Sequence, residues 1–276
     1  METVKAPNFF KDILEDMETE KEETLKMKCE LHGEYTAIKS IFKSGRESIT
    51  GCPECEKIRF QKQQEEEERL AKKEYEEQHL EECRNANIRL EFYDKYFSDY
   101  EPKTEGQKKA LEAVEEMQTT GKGKIILLGS NGAGKTMLGS ILARNMGGKI
   151  YTMYEIATLI RQSYTPKAEK SELEIVNELA TIPFLCIDEV GRIRNTEAVQ
   201  DWFSYILDKR HSEGLPFMLI GNLHFKKDCK DGGCPKCFEN YFDKDILSRL
   251  HEDTTIIVLK TDDKRREKNT LKYYSD

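Results

Sequence analysis

Lys124-Ile-Ile-Leu-Leu-Gly129-Ser-Asn-Gly-Ala-Gly134-Lys135-Thr136 is an apolar run that ends in a glycine-rich turn. From Gly129 to Thr136 the spelling is GxxxxGKT. Glycines at these positions let consecutive backbone N–H groups point inward at phosphate oxygens, so Gly129, Ser130, Asn131, Gly132, Ala133 and Gly134 read as a phosphate cradle. Lys135 is placed to reach the β- and γ-phosphates of a nucleoside triphosphate, and the Thr136 hydroxyl to ligate magnesium. The context agrees. Ile125 to Leu128 suits a buried parallel strand, and Leu138, Ile141, Leu142 and Met146 recur at helical spacing behind the turn. Strand, glycine turn and helix in that order predict an α/β domain with a parallel sheet flanked by helices, binding ATP with Mg2+.

The chain has 276 residues, 35% of them charged, with a mean hydropathy of −0.72 and a net charge of −8. That length accommodates one α/β domain plus a smaller unit. No apolar stretch approaches the ~20 residues of a membrane span, and the N-terminus lacks the apolar core of a signal peptide, so the expected setting is the cytoplasm with no membrane partner. The acidic balance argues against nucleic-acid binding by the whole surface, because such affinity comes from neutralised phosphates. Any contact of that kind must be local.

Eight cysteines without a secretory signal point to reduced thiols or metal ligands rather than disulfides. Cys29-Glu-Leu-His32 and Cys52-Pro-Glu-Cys55 form two knuckles with nineteen residues between them. Ligands two residues apart fold back onto one ion, and the interval suits a small hairpin, which predicts a closed structural Zn2+ site of Cys29, His32, Cys52 and Cys55. The organisation expected from these signals is an acidic segment over 1–26, a zinc module over 27–58, a charged linker helix over 59–86 and a nucleotide domain over 87–276. Phe9, Phe10, Ile13 and Leu14 lie at helical spacing in the first of these, as a partner-binding helix or a frayed terminal one.

Within the nucleotide domain, Thr104 with Gln107 and Ser171 with Glu174 spell capping boxes at two helix starts. Phe184-Leu-Cys-Ile-Asp188-Glu189 reads as a buried strand delivering two carboxylates at its C-terminal end, where ligands of open α/β sheets bind. Asp188 is expected to hold magnesium through water, and Glu189 to polarise the attacking water. Val199, Trp202, Phe203, Ile206 and Leu207 form a core-facing helical stripe. Phe217 to Gly221 is a further strand, tipped by Asn222, which suits either a water-orienting residue or a turn asparagine.

With these elements in order, the chain from about Asn87 onward resembles the AAA+ ATPases of the bacterial helicase-loader type, the DnaC/DnaI family and its phage relatives, with IstB-type transposition helpers as close kin. The matching words are Gly129 to Thr136, Phe184 to Gly191, Asp208-Lys-Arg210, Leu215-Pro216 leading to Gly221-Asn222-Leu223, and Leu247-Ser248-Arg249-Leu250. The resemblance implies that Asn222 is a sensor asparagine and Arg249 an arginine finger reaching a neighbouring subunit's ATP, hence self-association. It leaves the second-sensor arginine open, with Arg265 and Arg266 in the expected region. It also implies that the helices between Tyr154 and Ala180 line a single-stranded DNA path. Tyr154, Arg161, Gln162, Tyr164, Lys167 and Lys170 suit that role and suit a solvated helix surface equally.

The zinc module resembles the helicase-binding domain of zinc-containing loaders, which favours an ATPase that loads a replicative DNA helicase over a transposition helper. A third reading is a zinc-dependent adaptor with ATP as a structural or switch ligand. One departure from the family pattern is an insertion carrying His224, Cys229, Cys234 and Cys237, whose Cys-Pro-Lys-Cys repeats the earlier knuckle and suggests a second zinc site or, alternatively, free thiols.

Overall fold

The computed structural model describes residues 18–259. The apolar patch Phe9, Phe10, Ile13 and Leu14 and the two arginines Arg265 and Arg266 lie outside them. The chain divides into two compact units, one up to Glu77 and one from Gln78.

The first unit is built on a three-stranded antiparallel sheet of β1 (Thr19–Cys29), β2 (Gly33–Phe42) and β3 (Glu47–Ile49), in the order β1-β2-β3. Residues 19–26, expected in an acidic segment, are therefore strand. Composition concealed them because the strand is polar on both sides, and pairing rather than burial holds it. Its register runs from Thr19 opposite Phe42 to Cys29 opposite Gly33, and Glu23 faces Lys39, an opposite-charge pair of the kind that supports antiparallel ladders. Helix α1 (Pro53–Asn85) follows, starting with proline where the missing N–H costs nothing. Its first part carries solvent-facing pairs such as Glu66 with Arg69, which water screens so that they add little to stability.

The second unit contains α2 (Glu105–Thr120), β4 (Lys124–Gly129), α3 (Lys135–Asn145), β5 (Lys149–Thr152), α4 (Met153–Ser163), α5 (Glu172–Thr181), β6 (Leu185–Val190), α6 (Glu197–Ser212), β7 (Phe217–Gly221), α7 (Phe238–Tyr241), α8 (Lys244–His251) and β8 (Thr254–Leu259). Five parallel strands order as β5-β6-β7-β4-β8. Central strands buried on both faces must be apolar throughout, and Ile125 to Leu128, Leu185 to Ile187 and Phe217 to Ile220 are all buried. Helices cover both faces, giving one core around α4, α5 and α6 and another around α2 and α3. The expected capping boxes form at Thr104/Gln107 and Ser171/Glu174. A third, Thr152/Glu155, starts α4. The stripe from Val199 to Leu207 is buried. No helix among the described residues is long and apolar enough to cross a membrane.

Candidate functional site

The parallel sheet brings the tips of β4, β6 and β7 side by side, so the residues that end these strands meet without long side-chain reach. At the tip of β4 the chain turns through Gly129, whose φ is +125°. A Cβ there would fall 2.1 Å from the Leu259 carbonyl oxygen on β8, so glycine is needed for both the turn and the close approach. Ser130 N donates to the same Leu259 carbonyl at 3.1 Å, pinning the loop to its neighbouring strand. Gly134, with φ +85°, closes the loop at the start of α3. A Cβ here would meet the Tyr100 ring at 2.4 Å.

Lys135 Nζ donates to Gly129 O at 2.9 Å, Ser130 O at 2.7 Å and Asn222 Oδ1 at 3.2 Å. Asn222 Nδ2 in turn donates to Asn131 Oδ1 at 2.7 Å. The strand-tip asparagine thus touches the loop at both ends. Thr136 Oγ1 donates to Asp188 Oδ2 at 2.8 Å, close to the ~2.9 Å separation of adjacent ligands around magnesium with bonds of about 2.0–2.1 Å. These two oxygens could hold that ion. Burial raises the Asp188 carboxyl above the ordinary carboxylate range, an effect that the Thr136 and Glu189 hydrogen bonds oppose.

Strand β6 loses its regular register between Ile187, opposite Leu219, and Val190, opposite Gly221. Two residues therefore face one, a bulge that turns the carboxylates apart. Glu189 sits in the left-handed region at φ +57°, which for a non-glycine residue is uncommon and strained. Asp188 Oδ1 accepts from Glu189 N at 2.6 Å and faces Thr136, whereas Glu189 pairs with Arg192 and lies 3.9 Å from Arg89.

Several supporting residues were not apparent from the sequence. Tyr100 Oη donates to Ala133 O at 3.0 Å, and Gln107 Nε2 reaches the same carbonyl at 3.3 Å. Burial pushes the Tyr100 hydroxyl up to about 12, so it remains a donor at neutral pH. Of these, only Gln107 had a sequence signal, through its capping box. Arg89 and Arg192 had none.

Arg249 lies away from this cluster. It is on α8, whose Ile246 and Leu250 are buried, and it pairs with Asp208 of α6. The proposed DNA-contacting side chains lie mainly on or just after α4. Tyr154 and Tyr164 are exposed, Arg161 packs 5.6 Å from the Tyr154 ring centroid, and Tyr164 Oη donates to Glu172 at 2.6 Å. Gln162 and Lys167 are exposed, and Lys170 pairs with Glu178.

Two Cys/His groups are assembled among the described residues. In the first unit, Cys29 Sγ lies 3.6 Å from Cys55 Sγ and 3.7 Å from His32 Nδ1, with Cys52 and Cys55 at 3.6 and 3.3 Å from the same nitrogen. Tetrahedral zinc, with Zn–S about 2.3 Å and Zn–N about 2.0 Å, separates its ligand atoms by roughly 3.5–3.8 Å. The group fits. Backbone amides at Leu31 and His32 hold the Cys29 thiol down at about 6, whereas the hydrogen bond with Cys29 and burial push the Cys55 thiol up to about 11. The second group, His224, Cys229, Cys234 and Cys237, lies in the other unit beyond β7.

A family model described as IstB-like ATP binding protein matches residues 54–271. The replicative helicase loader DnaC of Escherichia coli K12 is 24% identical over 186 residues, which is 64% of this chain and 71% of that protein. The solved structure of DnaI superposes with a TM-score of 0.50 at 22% identity, covering 63% of this chain and 95% of that one. AMPPCP-bound DnaA of Aquifex aeolicus gives a TM-score of 0.50 at 18% identity over 64% of this chain, which spans about half of the initiator, 53%. These structural likenesses show an AAA+ fold.

Proposed function

The chain belongs to the IstB-like ATP-binding protein family, and on that premise we propose that it is an ATP-hydrolysing loader that binds a replicative DNA helicase and delivers it onto single-stranded DNA. The observation that carries this reading is the convergence of Lys135, Thr136, Asp188 and Asn222 on one phosphate loop, in a chain similar to a helicase loader.

The residues divide the work as follows. Backbone N–H groups from Gly129 to Gly134 hold the phosphates, and Lys135 exchanges its loop carbonyls for β- and γ-phosphate oxygens. Thr136 and Asp188 would hold magnesium, which when bound would neutralise charge on the phosphates. Glu189, released from Arg192, orients the attacking water and accepts its proton. Asn222 leaves Lys135 to fix that water against the γ-phosphate. Arg249 exchanges Asp208 for the phosphate of a neighbouring protomer, so that hydrolysis depends on self-association; such fingers are worth roughly 10³–10⁵ in rate.

Cys29, His32, Cys52 and Cys55 bind a structural zinc ion, which for sites of this kind contributes on the order of 10 kcal/mol to folding. The unit so stabilised exposes Leu31, Ile38 and Ile49, apolar groups suited to a protein partner. Tyr154 and Tyr164 offer faces for base stacking, with Arg161 and Lys167 as cations for the backbone.

The test is co-purification with the replicative helicase of the same source, together with ATPase rates with and without single-stranded DNA. Association at micromolar concentration and a rate that rises with DNA are expected. No association would overturn the loader assignment. The second reading is a transposition helper, in keeping with a family described as IstB-like, and stimulation of a transposase on duplex DNA would favour it.

A further inference from the structure

We propose that His224, Cys229, Cys234 and Cys237 bind a second zinc ion that clamps the segment between Asn222 and the helix bearing Arg249. The ligand atoms of all four lie within 4.8 Å of one another. His224 Nε2 is 3.4 Å from Cys234 Sγ and 3.5 Å from Cys237 Sγ, and the two sulfurs are 4.0 Å apart. The separations among His224, Cys234 and Cys237 are near the roughly 3.5–3.8 Å of a tetrahedral zinc shell, and with Cys229 within 4.8 Å the three thiols and one imidazole make a closed structural set. A disulfide would engage only two of the sulfurs and leave the imidazole without a purpose.

The local sequence shows why a metal is needed. Residues 226–236 read Lys-Lys-Asp-Cys-Lys-Asp-Gly-Gly-Cys-Pro-Lys. Apart from its two cysteines and Pro235, this stretch has no apolar side chain to bury, and Gly232 and Gly233 both have positive φ. Ordering such a segment costs backbone entropy at every residue, with no core to offset it. Yet its ends are closely tied. His224 N donates to Lys236 O at 3.2 Å, Phe238 N to His224 O at 2.8 Å, and Asn240 Nδ2 to Cys234 O at 3.0 Å.

The clamp joins two functional positions. His224 lies two residues after Asn222. On the other side, fully buried Cys237 leads directly into α7, whose Phe238 packs edge-on against Phe242 and faces His251 of α8 at a centroid distance of 6.3 Å. A metal at this point therefore fixes the path from the strand tip at the phosphate loop to the helix of Arg249. The clamping consequence rests on the roles proposed for Asn222 and Arg249, whereas the metal site does not.

Zinc content of the full-length protein and of two double variants tests the site. Two ions per chain are expected in the parent, one after Cys52→Ser with Cys55→Ser, and one after Cys234→Ser with Cys237→Ser. A parent with a single ion, lost entirely in the first variant, would overturn the proposal. Should Cys234→Ser with Cys237→Ser not fold, the first variant refilled with cobalt serves instead, where the visible bands of tetrahedral thiolate-bound cobalt support the site and their absence refutes it. For the clamp, hydrogen exchange at the amides of Cys237 and Phe238 should lose protection in the Cys234→Ser, Cys237→Ser chain while binding of a fluorescent ATP analogue persists. Unchanged protection would overturn the clamp. Failure of helicase binding with two ions present would count against the loader reading and leave the metal site standing.

Discussion

Replacing Arg210 with methionine should destabilise the nucleotide-binding unit by about 2–4 kcal/mol, a figure that follows from what its guanidinium holds. Arg210 is fully buried near the end of α6. It donates to the carbonyls of Leu179 (3.1 Å), Ala180 (3.4 Å), Ile182 (2.9 Å), Pro183 (3.4 Å) and Pro216 (2.6 Å). Burial lowers its pKa to about 10, so it remains a cation at neutral pH. Methionine would keep much of the aliphatic stem's packing and remove a costly buried charge, a relief of several kcal/mol. Against this, five carbonyls lose a donor, each at about 1–3 kcal/mol. The orphaned carbonyls outweigh the relieved charge. The effect is also placed where it matters, since Ile182 and Pro183 lead into β6 and Pro216 into β7, the strands that deliver Asp188 and Asn222. Trp202 is the only tryptophan in the chain and is buried on α6. Its fluorescence therefore follows this unit alone during thermal unfolding. For a domain of this size the midpoint should fall by about 4–16 °C, at roughly 2–4 °C per kcal/mol. An Arg210→Met protein with an unchanged or higher midpoint would refute the carbonyl-clamp account.

Tyr100→Phe removes one of two donors to Ala133 O, at a cost of about 0.5–1.5 kcal/mol, so calorimetric ATP affinity should weaken by less than roughly tenfold. Because burial raises the Asp188 carboxyl, magnesium-dependent nucleotide binding should fall, as pH is lowered, at a higher pH than an exposed aspartate near 3.9 would allow. Over the window between those two values protonation of Asp188 adds stability to the fold, so binding is lost before structure, and fluorescence titrations with and without magnesium should separate the two. Asp208→Ala frees Arg249 from a pair that is exposed by 37% and 41% at its two side chains, so it should change unfolding free energy, and ATPase of the isolated chain, by no more than about 1 kcal/mol or fivefold.

The parts of the fold legible in the sequence were those set by local rules. The phosphate loop, the apolar strands and the capping boxes at Thr104 and Ser171 depend on residues a few positions apart. What escaped notice depends on distant partners. Tyr100 and Ala133 are 33 residues apart, and nothing near Tyr100 marks it as a support for the loop. Arg210 stood out as part of a family word, yet its burial against five carbonyls could not be read from its neighbours. The bulge at Asp188 and Glu189 is a property of pairing with β7 rather than of β6 alone. In β1, the Lys and Glu residues that satisfy cross-strand charge also erase the alternation by which a strand is recognised.

The two charged groups assigned to hydrolysis, Glu189 and Arg249, are each held by a counter-charge on their own chain, and the magnitudes decide what these pairs can do. Arg192 is exposed by 70% and Glu189 by 27%, so their attraction is screened and is worth about 1 kcal/mol or less. The same limit applies to Arg249 and Asp208. Releasing both together would cost no more than roughly 2 kcal/mol, whereas an arginine supplied to a neighbour's phosphates contributes about 10³–10⁵ in rate, or roughly 4–7 kcal/mol. Assembly of the kind proposed would therefore overcome both pairs. On the proposed reading, the isolated protomer is slow mainly because it lacks a neighbour's arginine, with only a minor contribution from its own ion pairs. The Asp208 and Arg192 contacts then act to park the side chains in defined positions between turnovers. On that reading ATP binding, through Lys135, Thr136, Asp188 and the loop amides, is open to the single chain, and hydrolysis is a property of the assembly.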